Sequence, residues 1–364
     1  MADKLISKFG AKKAPLALGI ASLIFGFPIF FDAGLIVMMP IIFSLAKRFG
    51  GSLLIYALPA AGAFAVMHAF VPPHPGPVAA AGFLGADIGL LLLVGLLVAM
   101  PTWYLGSYLF GVYSGKKFDI SLSKLLYGTE SSSQPSKLPR FATVMSLLLL
   151  PMLLIFLDTG LNTLTAAGII DGSNPFTQVL RMIGKTPIAL LITLVVCLFV
   201  FAKDYGMKEL ERLCGESLAP ICSVILITGA GGMYGGVLRS SDIGDALAGL
   251  LADTGMPVIV AAFVISTCLR VAQGSATVAL TTTAALISPM VAATVGLSSL
   301  DLCFIVIAIA GGATVLSHFN DSGFWLVSRL LGMDEKTTLR TWTVMETLLG
   351  SIAFLIVLVL SFVF

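Results

Sequence analysis

Long apolar runs dominate this chain and limit what it can fold into. A helix needs about 20 predominantly apolar residues to cross the hydrocarbon core of a bilayer, and residues 141–159, 187–202 and 341–364 form runs close to this length. Hydrophobic residues make up 58% of the 364 residues and charged residues only 11%, a composition outside the range of soluble domains. A closed β-barrel would show weaker segments of alternating hydrophobicity. The sequence therefore predicts an all-α polytopic membrane protein.

The basic residues indicate which loops face the cytoplasm. Lys and Arg are enriched in cytoplasmic loops, and most of the 21 basic residues fall in clusters between the apolar runs. With these clusters placed inside, the run 15–46 has both ends in the cytoplasm, and it carries Pro28 and Asp32 near its centre. It is too long for one span and too short for two. We therefore predict a re-entrant helical hairpin, whose irregular tip must be buried in protein or line a cavity.

The first part of the chain, residues 1–112, is predicted to form one structural unit. It begins with an amphipathic helix and continues with the hairpin 15–46. A broken helix at 52–84 follows, because the prolines of VPPHPGP remove backbone donors and clash with the preceding helical turn. A span at 88–112 completes the unit. The polar segment 113–140, which contains TESSSQPSK, is predicted to be a flexible cytoplasmic linker.

Residues 141–364 are predicted to form a second unit, in which the same order of features follows three spans. Its hairpin occupies 257–293 with a tip at AQGSAT, its broken helix occupies 300–327, and its last span occupies 341–364. The segment 240–255 carries three Asp and no Lys or Arg, which places the entry to this hairpin outside. The two units thus form inverted repeats, which are typical of secondary transporters with a substrate near the bilayer midplane. The three spans are predicted at 141–159, 187–202 and 218–237.

The repeat also predicts what belongs before the first unit. Spans precede the second hairpin, but the sequence holds no counterpart of them before the first hairpin. We therefore expect that the chain lacks N-terminal spans, through truncation or through a start codon assigned late.

Five motifs in this chain resemble those of the gluconate permease family. They are GFPIFFDAGLIVMMP, VPPHPGPVAAAG, GAGGMYGGVL, CLRVAQGSATVA and SHFNDSGFWLVSRLLGM, and the resemblance covers nearly the whole chain. It implies a multi-pass inner membrane protein that carries gluconate or a related small hydroxy or amino acid together with protons. It also implies the fold of the ion transporter superfamily, in which two re-entrant hairpins and two broken helices surround the substrate and an elevator-like movement is expected.

The resemblance leaves alternatives open. D-serine or another small organic acid is an alternative substrate, and a truncated, inactive member is an alternative to a working transporter. A channel would need a continuous pore lining, and an intramembrane metalloprotease would need HExxH, which the sequence lacks. The expected partners are therefore a small organic anion, protons and the lipid bilayer, without a cofactor, a nucleic acid or an enzymatic product. A homodimer is possible, since the sequence does not determine the oligomeric state.

Arg270 is the only basic residue deep within an apolar run. An intramembrane charge is costly and usually functional, so we predict that its guanidinium binds the substrate carboxylate through paired hydrogen bonds. The alternatives are a structural ion pair with Asp32 or Asp321, or a side chain that reaches toward the headgroups.

The tip of the second hairpin offers four further substrate contacts, Gln273, Gly274, Ser275 and Thr277. Small residues let the backbone approach a ligand, and the N–H groups at the start of a half-helix attract anions. Hydroxyl and amide groups suit a polyhydroxy acid. Close helix packing by small residues is the alternative.

Three residues are candidates for carrying the coupled proton: Asp32 at the first tip, and Asp321 and His318 at the second break. A buried carboxyl group favours its neutral form, and histidine titrates near neutral pH. Asp32 is also a candidate substrate contact. Capping of a half-helix N-terminus explains an Asp at either place without a transport role.

His74 and His318 occupy matching positions in the two breaks, and Gly76 and Asn320 lie near them. We predict that these four residues contact the substrate. The alternative for each histidine is a hydrogen bond to a backbone carbonyl that the break frees. Three histidines without clustered Cys or Glu do not form a zinc ligand set, so no metal site is predicted.

Structural roles are predicted for one histidine and for the tryptophans. His68 lies six residues before His74 and is interpreted as structural. Tryptophan is enriched where membrane helices meet the headgroup region. Interface anchors are therefore predicted at Trp103, Trp325 and Trp342, which fall near predicted span ends.

Overall fold

The computed structural model describes residues 13–27, 29–120, 141–166, 169–215 and 256–363, together with positions 233, 237 and 240. Every regular element in these residues is a helix. Six of the helices are long and apolar enough to cross a membrane, which confirms an all-α architecture of the polytopic membrane class. They are Leu54–Leu84, Ile88–Lys117, Ala142–Asn162, Pro187–Tyr205, Ala276–Ala293 and Glu335–Leu360.

Two helices joined by a turn occupy the range of the first predicted hairpin. α1 (Ala14–Gly26) has Pro15 in its first turn, where the missing N–H of proline leaves no helical hydrogen bond unmade. α2 (Phe31–Phe49) follows the turn. The Phe30 ring at the turn lies 5.6 Å from the His68 ring, so the turn packs against the end of the next helix.

The long helix Leu54–Leu84 is interrupted in its middle and divides into α3 (Leu54–Phe70) and α4 (Pro75–Leu84). Val71 and His74 have extended backbone, with ψ of 120° and 143°. The ring of Pro75 pushes the preceding residue out of the helical region. Pro75 then starts α4, because its fixed φ suits the first position of a helix.

α5 (Ile88–Lys117) is continuous and contains one π-helical stretch, Trp103–Leu109. Asp87 caps its start, since a carboxylate oxygen accepts a hydrogen bond from the backbone N–H of Leu90 at 2.6 Å. The helix continues past residue 112, the predicted end of this span. The remainder of the predicted linker 113–140 lies largely outside the described residues.

Three helices follow, α6 (Phe141–Ala166), α7 (Pro175–Gly184) and α8 (Thr186–Tyr205). α7 is a short helix that the sequence analysis did not predict. Arg181 of α7 forms an ion pair with Asp158 of α6, with 3.3 Å between nitrogen and oxygen, which ties α7 to the longer helix. Outside the described residues lie nearly all of the predicted span 218–237 and of the segment 240–255.

Two helices occupy the range of the second predicted hairpin, α9 (Val258–Gln273) and α10 (Ala276–Ala293). Only Gly274 and Ser275 separate them. Gly274 has φ of +76°, in the left-handed region that glycine adopts without strain. Ser275 caps α10, because its hydroxyl accepts a hydrogen bond from the Val278 N–H at 3.4 Å.

The last part of the chain contains α11 (Ser299–Thr314), α12 (Ser322–Leu330) and α13 (Glu335–Leu360). An extended connection separates α11 from α12, within the range of the second predicted broken helix. Asp321 ends this connection and caps α12, since a carboxylate oxygen accepts from the Gly323 N–H at 3.0 Å.

The helices of the two units pack against one another in the interior. α4 packs on α10 and α11, α9 packs along α11, and α11 packs along α13. Glycines make the closest approach possible: a Cβ on Gly350 would overlap the carbonyl oxygen of Gly311. Such backbone contact is a common mode of helix association in membranes. The packing brings the turns of both helix pairs and the breaks of both interrupted helices to one interior region.

Trp103 and Trp342 are buried, with 4% and 2% of their surface exposed. Each donates its indole N–H to an interior acceptor, Trp103 to the carbonyl oxygen of Pro59 and Trp342 to the hydroxyl of Ser317, both at 2.8 Å. The prediction that these two residues anchor the protein at the membrane interface was wrong. Both lie in π-helical stretches.

Candidate functional site

A cavity of about 430 Å³ lies where helix ends of both units converge. This volume falls in the range of about 300–1,000 Å³ that is usual for small-molecule sites. The starts of α2, α4, α10 and α12 all contribute to its wall, so several helix N-termini surround one space. The polar lining comprises Asp32, His68, Arg270, Ser275, Thr277, Thr314, Asn320, Asp321, Ser322, Trp342 and Glu346.

Arg270 projects from the last turn of α9 and is 3% exposed. Its guanidinium forms an ion pair with Asp321 and donates a second hydrogen bond to the carbonyl oxygen of Gly274. The structural ion pair that is the alternative to substrate binding by Arg270 is therefore present, with Asp321 as the partner. Removal of one partner from a buried pair leaves the other as an unpaired charge, so the two residues stabilise this wall of the cavity together.

Asp321 is the centre of a hydrogen-bond network. The hydroxyl of Ser317 donates to one carboxylate oxygen at 2.5 Å, and the Gly323 N–H donates to the other at 3.0 Å. Trp342 donates in turn to the Ser317 hydroxyl. Asp321 thus caps α12 and balances the charge of Arg270 at the same time.

Gly274 and Asn320 join the α9–α10 turn to the second break. The side-chain amide of Asn320 donates to the carbonyl oxygen of Val271 at 2.7 Å, which satisfies an acceptor that the end of α9 leaves free. A Cβ on Gly274 would overlap the backbone carbonyl of Asn320. The turn and the break can therefore approach this closely only with glycine at position 274.

Asp32 and His68 belong to the first unit and face the same cavity. Asp32 lies in the first turn of α2, where a negative charge is favoured by the helix dipole, and its side chain is exposed. The Nε2 atom of His68 lies 3.5 Å from the hydroxyl of Thr277 on α10. The cavity is therefore bounded by ionisable or polar groups from both units.

Seven of the predicted site residues line the cavity, and four do not. The first group contains Asp32, Arg270, Gly274, Ser275, Thr277, Asn320 and Asp321. The second group contains His74, Gly76, Gln273 and His318, whose predicted roles stay predictions.

The four residues of the second group lie next to the cavity wall. Gly76 packs against Thr277, with 3.8 Å from an added Cβ to the Thr277 side chain. Gln273 is buried at the end of α9, and His318 is half-buried in the second break.

His74 has no exposed surface. Its Nε2 lies 2.9 Å from the carbonyl oxygen of Gly26, the last residue of α1. Because a carbonyl oxygen only accepts hydrogen bonds, Nε2 carries the proton and donates it. The histidine thus satisfies a carbonyl at the end of a neighbouring helix, and not a carbonyl freed by its own break.

Substitution of His74 by phenylalanine is expected to lower stability by about 1–3 kcal/mol, because the Gly26 carbonyl would lose its buried hydrogen bond. The apparent melting temperature in detergent measures this effect, and gluconate affinity should change little. A large loss of affinity with an unchanged melting temperature would instead support the predicted substrate contact.

The profile of the GntP family permeases matches residues 1–363. The chain belongs to the GntP family of permeases. Its relatives in this family are similar over nearly the whole of the chain, so the cavity and both interrupted helices lie within the matched region.

Three relatives show the extent of this similarity. The inner membrane permease YgbN of Escherichia coli is 37% identical over 98% of this chain and 79% of its own length. A gluconate permease of Pseudomonas aeruginosa is 34% identical over 100% of this chain and 80% of its own. A low-affinity gluconate transporter of Escherichia coli is 33% identical over 97% and 78%. These relatives are named as transporters and not as enzymes. With six helices that are long and apolar enough to cross a membrane, this GntP family member is a multi-pass inner membrane protein.

Five polar residues of this GntP permease cavity were not predicted as site residues: His68, Thr314, Ser322, Trp342 and Glu346. Glu346 is the single acidic residue of the run 341–364, so an isolated charge in an apolar segment was the available signal. No comparable signal marked Trp342, whose inward direction depends on packing.

Among the described residues, no group of three or more His, Cys, Asp or Glu is placed to hold a metal ion.

Proposed function

We propose that the protein is a secondary active transporter that takes up gluconate, or a related small sugar acid, together with protons. The cavity carries this proposal, because it combines one buried guanidinium with several hydroxyl and amide groups in a space of small-molecule size. Gluconate has one carboxylate and a chain of hydroxyl groups, and each of these groups finds a matching partner in such a lining.

The substrate carboxylate binds near Arg270 and the start of α10. Arg270 retains an Nε–H without a hydrogen-bond partner among the described residues. The N–H groups at the first turn of α10 add partial positive charge, as helix N-termini do for anions. Ser275, Thr277 and Asn320 lie on the same wall and bind the substrate hydroxyl groups.

We propose further that α1 with α2, and α9 with α10, are re-entrant hairpins, and that the two units are inverted repeats. Matching details support the repeat. Gly85 and Gly332 both have positive φ, of +71° and +64°. Two residues later, Asp87 and Asp334 each cap the helix that follows. Each of these helices, α5 and α13, contains a π-helical stretch.

Uptake of labelled gluconate by cells that express this chain, and that have no other gluconate uptake, tests the function. Uptake should be saturable and should make the outside medium more alkaline, because protons enter with the anion. Unlabelled sugar acids should compete more strongly than D-serine, and cells with an empty vector are the control. Uptake driven equally well by sodium alone, without dependence on pH, would contradict proton coupling. Stronger competition by D-serine would indicate that D-serine, and not gluconate, is the substrate.

A further inference from the structure

Glu346 lies within α13 and lines the cavity, although only 5% of its surface is exposed. Its Oε1 atom is buried and has no hydrogen-bond partner among the described residues. Every other carboxyl group of the cavity is either exposed or hydrogen-bonded. Glu346 therefore differs from them in having a buried carboxylate oxygen without a hydrogen-bond partner among the described residues.

The titratable and charged groups that line the cavity together with Glu346 come from four parts of the fold. They are Arg270 on α9, Asp321 before α12, Asp32 on α2 and His68 on α3. Arg270 and Asp321 are near enough to interact electrostatically with Glu346, but their hydrogen bonds are made with other groups. α11 also packs against α13, and among the described cavity residues it contributes only the hydroxyl of Thr314.

The other two carboxyl groups of the cavity have surroundings that differ from those of Glu346. Asp321 accepts three hydrogen bonds and pairs with Arg270. The side chain of Asp32 is exposed. Glu346 has a buried carboxylate oxygen without a hydrogen-bond partner among the described residues, and a carboxylate in such a place is disfavoured. Uptake of one proton removes this cost.

An anionic substrate makes protonation of Glu346 more favourable still. Like charges repel strongly where the effective dielectric constant is low, and a substrate carboxylate beside Arg270 would lie in the same cavity as Glu346. Binding of the anion and protonation of Glu346 therefore favour each other, and this linkage is reciprocal. A transporter that couples an anion to a proton requires this relation between its two sites.

We propose that Glu346 carries the proton that is cotransported with the substrate. This inference rests on the proposed function, proton-coupled transport of a sugar acid. A proton from water on the outer side forms an O–H bond with the Glu346 carboxylate when the anion binds. That bond breaks when the cavity opens to the cytoplasm and the anion leaves, and the proton passes to cytoplasmic water. One monoanion and one proton move together, with no net charge.

Two assays on purified protein in liposomes test the assignment. Exchange of labelled for unlabelled gluconate at equal pH on both sides reports binding and movement without net proton flow. Accumulation in an imposed pH gradient reports coupling, and the wild type should accumulate gluconate about tenfold for each unit of the gradient. Glutamine has the size of glutamate but cannot exchange a proton. Glu346→Gln should therefore retain exchange and show no accumulation above equilibrium.

Two further variants complete the experiment. Glu346→Asp retains a carboxyl group and should restore accumulation. Glu335→Gln, on the same helix, removes a partly exposed ion pair with Arg329 at 3.0 Å and should match the wild type in both assays.

The possible failures can be told apart. Accumulation by Glu346→Gln at the wild-type level, or loss of exchange together with accumulation, would overturn the assignment of Glu346. Failure of the wild type itself to accumulate gluconate would overturn the proposed function, and this inference with it.

Discussion

Replacement of Arg270 by glutamine is expected to abolish gluconate uptake. The substitution removes the guanidinium that pairs with Asp321 and bonds to the Gly274 carbonyl. A buried carboxylate without its counter-ion costs about 3–5 kcal/mol, and the cavity would also lose the positive charge that meets the substrate. Uptake of labelled gluconate into liposomes, at matched amounts of protein, measures the loss. The melting temperature in detergent shows how much of it reflects instability.

Two variants serve as controls for Arg270→Gln. Arg270→Lys keeps the charge but not the planar fork, so it should recover only part of the uptake. Arg329→Gln breaks an ion pair with Glu335 whose side chains are 28% and 45% exposed. Exposed pairs contribute about 0–1 kcal/mol, so this variant should transport like the wild type. Unchanged apparent affinity for gluconate in Arg270→Gln would refute the role of Arg270 in the site.

The second large effect is expected from Gly274→Ala. The new Cβ would overlap the backbone carbonyl of Asn320, and the residue would have to keep φ of +76°. Left-handed strain and overpacking together cost about 2–5 kcal/mol, and the backbone of the break cannot move aside without displacing Asp321. We expect a lower melting temperature and uptake at the background level.

Gly85→Ala separates these two contributions. Gly85 has φ of +71°, close to that of Gly274, but no atom lies within 4 Å of an added Cβ. Only the left-handed strain of about 1–2 kcal/mol applies, so uptake should survive with a modest loss of stability. If both variants behave alike, close contact between the α9–α10 turn and the second break is not required for transport.

Helix positions were predictable where hydropathy or proline decides them. The prolines of VPPHPGP lie where α3 ends and α4 begins. The start of α13 at Glu335, ahead of the predicted 341, was not visible, because charged residues in the first turns hide a helix from a hydropathy argument. α7 was missed for a related reason: a helix of 10 residues is too short to register as a span.

The candidate site was predictable where a residue contrasts with its own segment. Arg270 stands out as a lone charge in an apolar run, and it does line the cavity. The same contrast marks Glu346 in the run 341–364, for which only a membrane span is predicted. The sequence does not distinguish Asp32 from Asp321 as the partner of Arg270, since both lie far from it along the chain.

By itself, the sequence determined the membrane class, the positions of the interruptions and the candidate intramembrane charges. These follow from local properties, namely hydropathy, the backbone chemistry of proline and glycine, and the cost of a charge in hydrocarbon. Only the tertiary structure decided that Arg270 pairs with Asp321, that His74 bonds to the end of α1, and that Glu346 lines the same cavity as Arg270 and Asp321. Such contacts depend on how distant helices pack, and packing leaves no periodic pattern in the sequence from which a partner can be read.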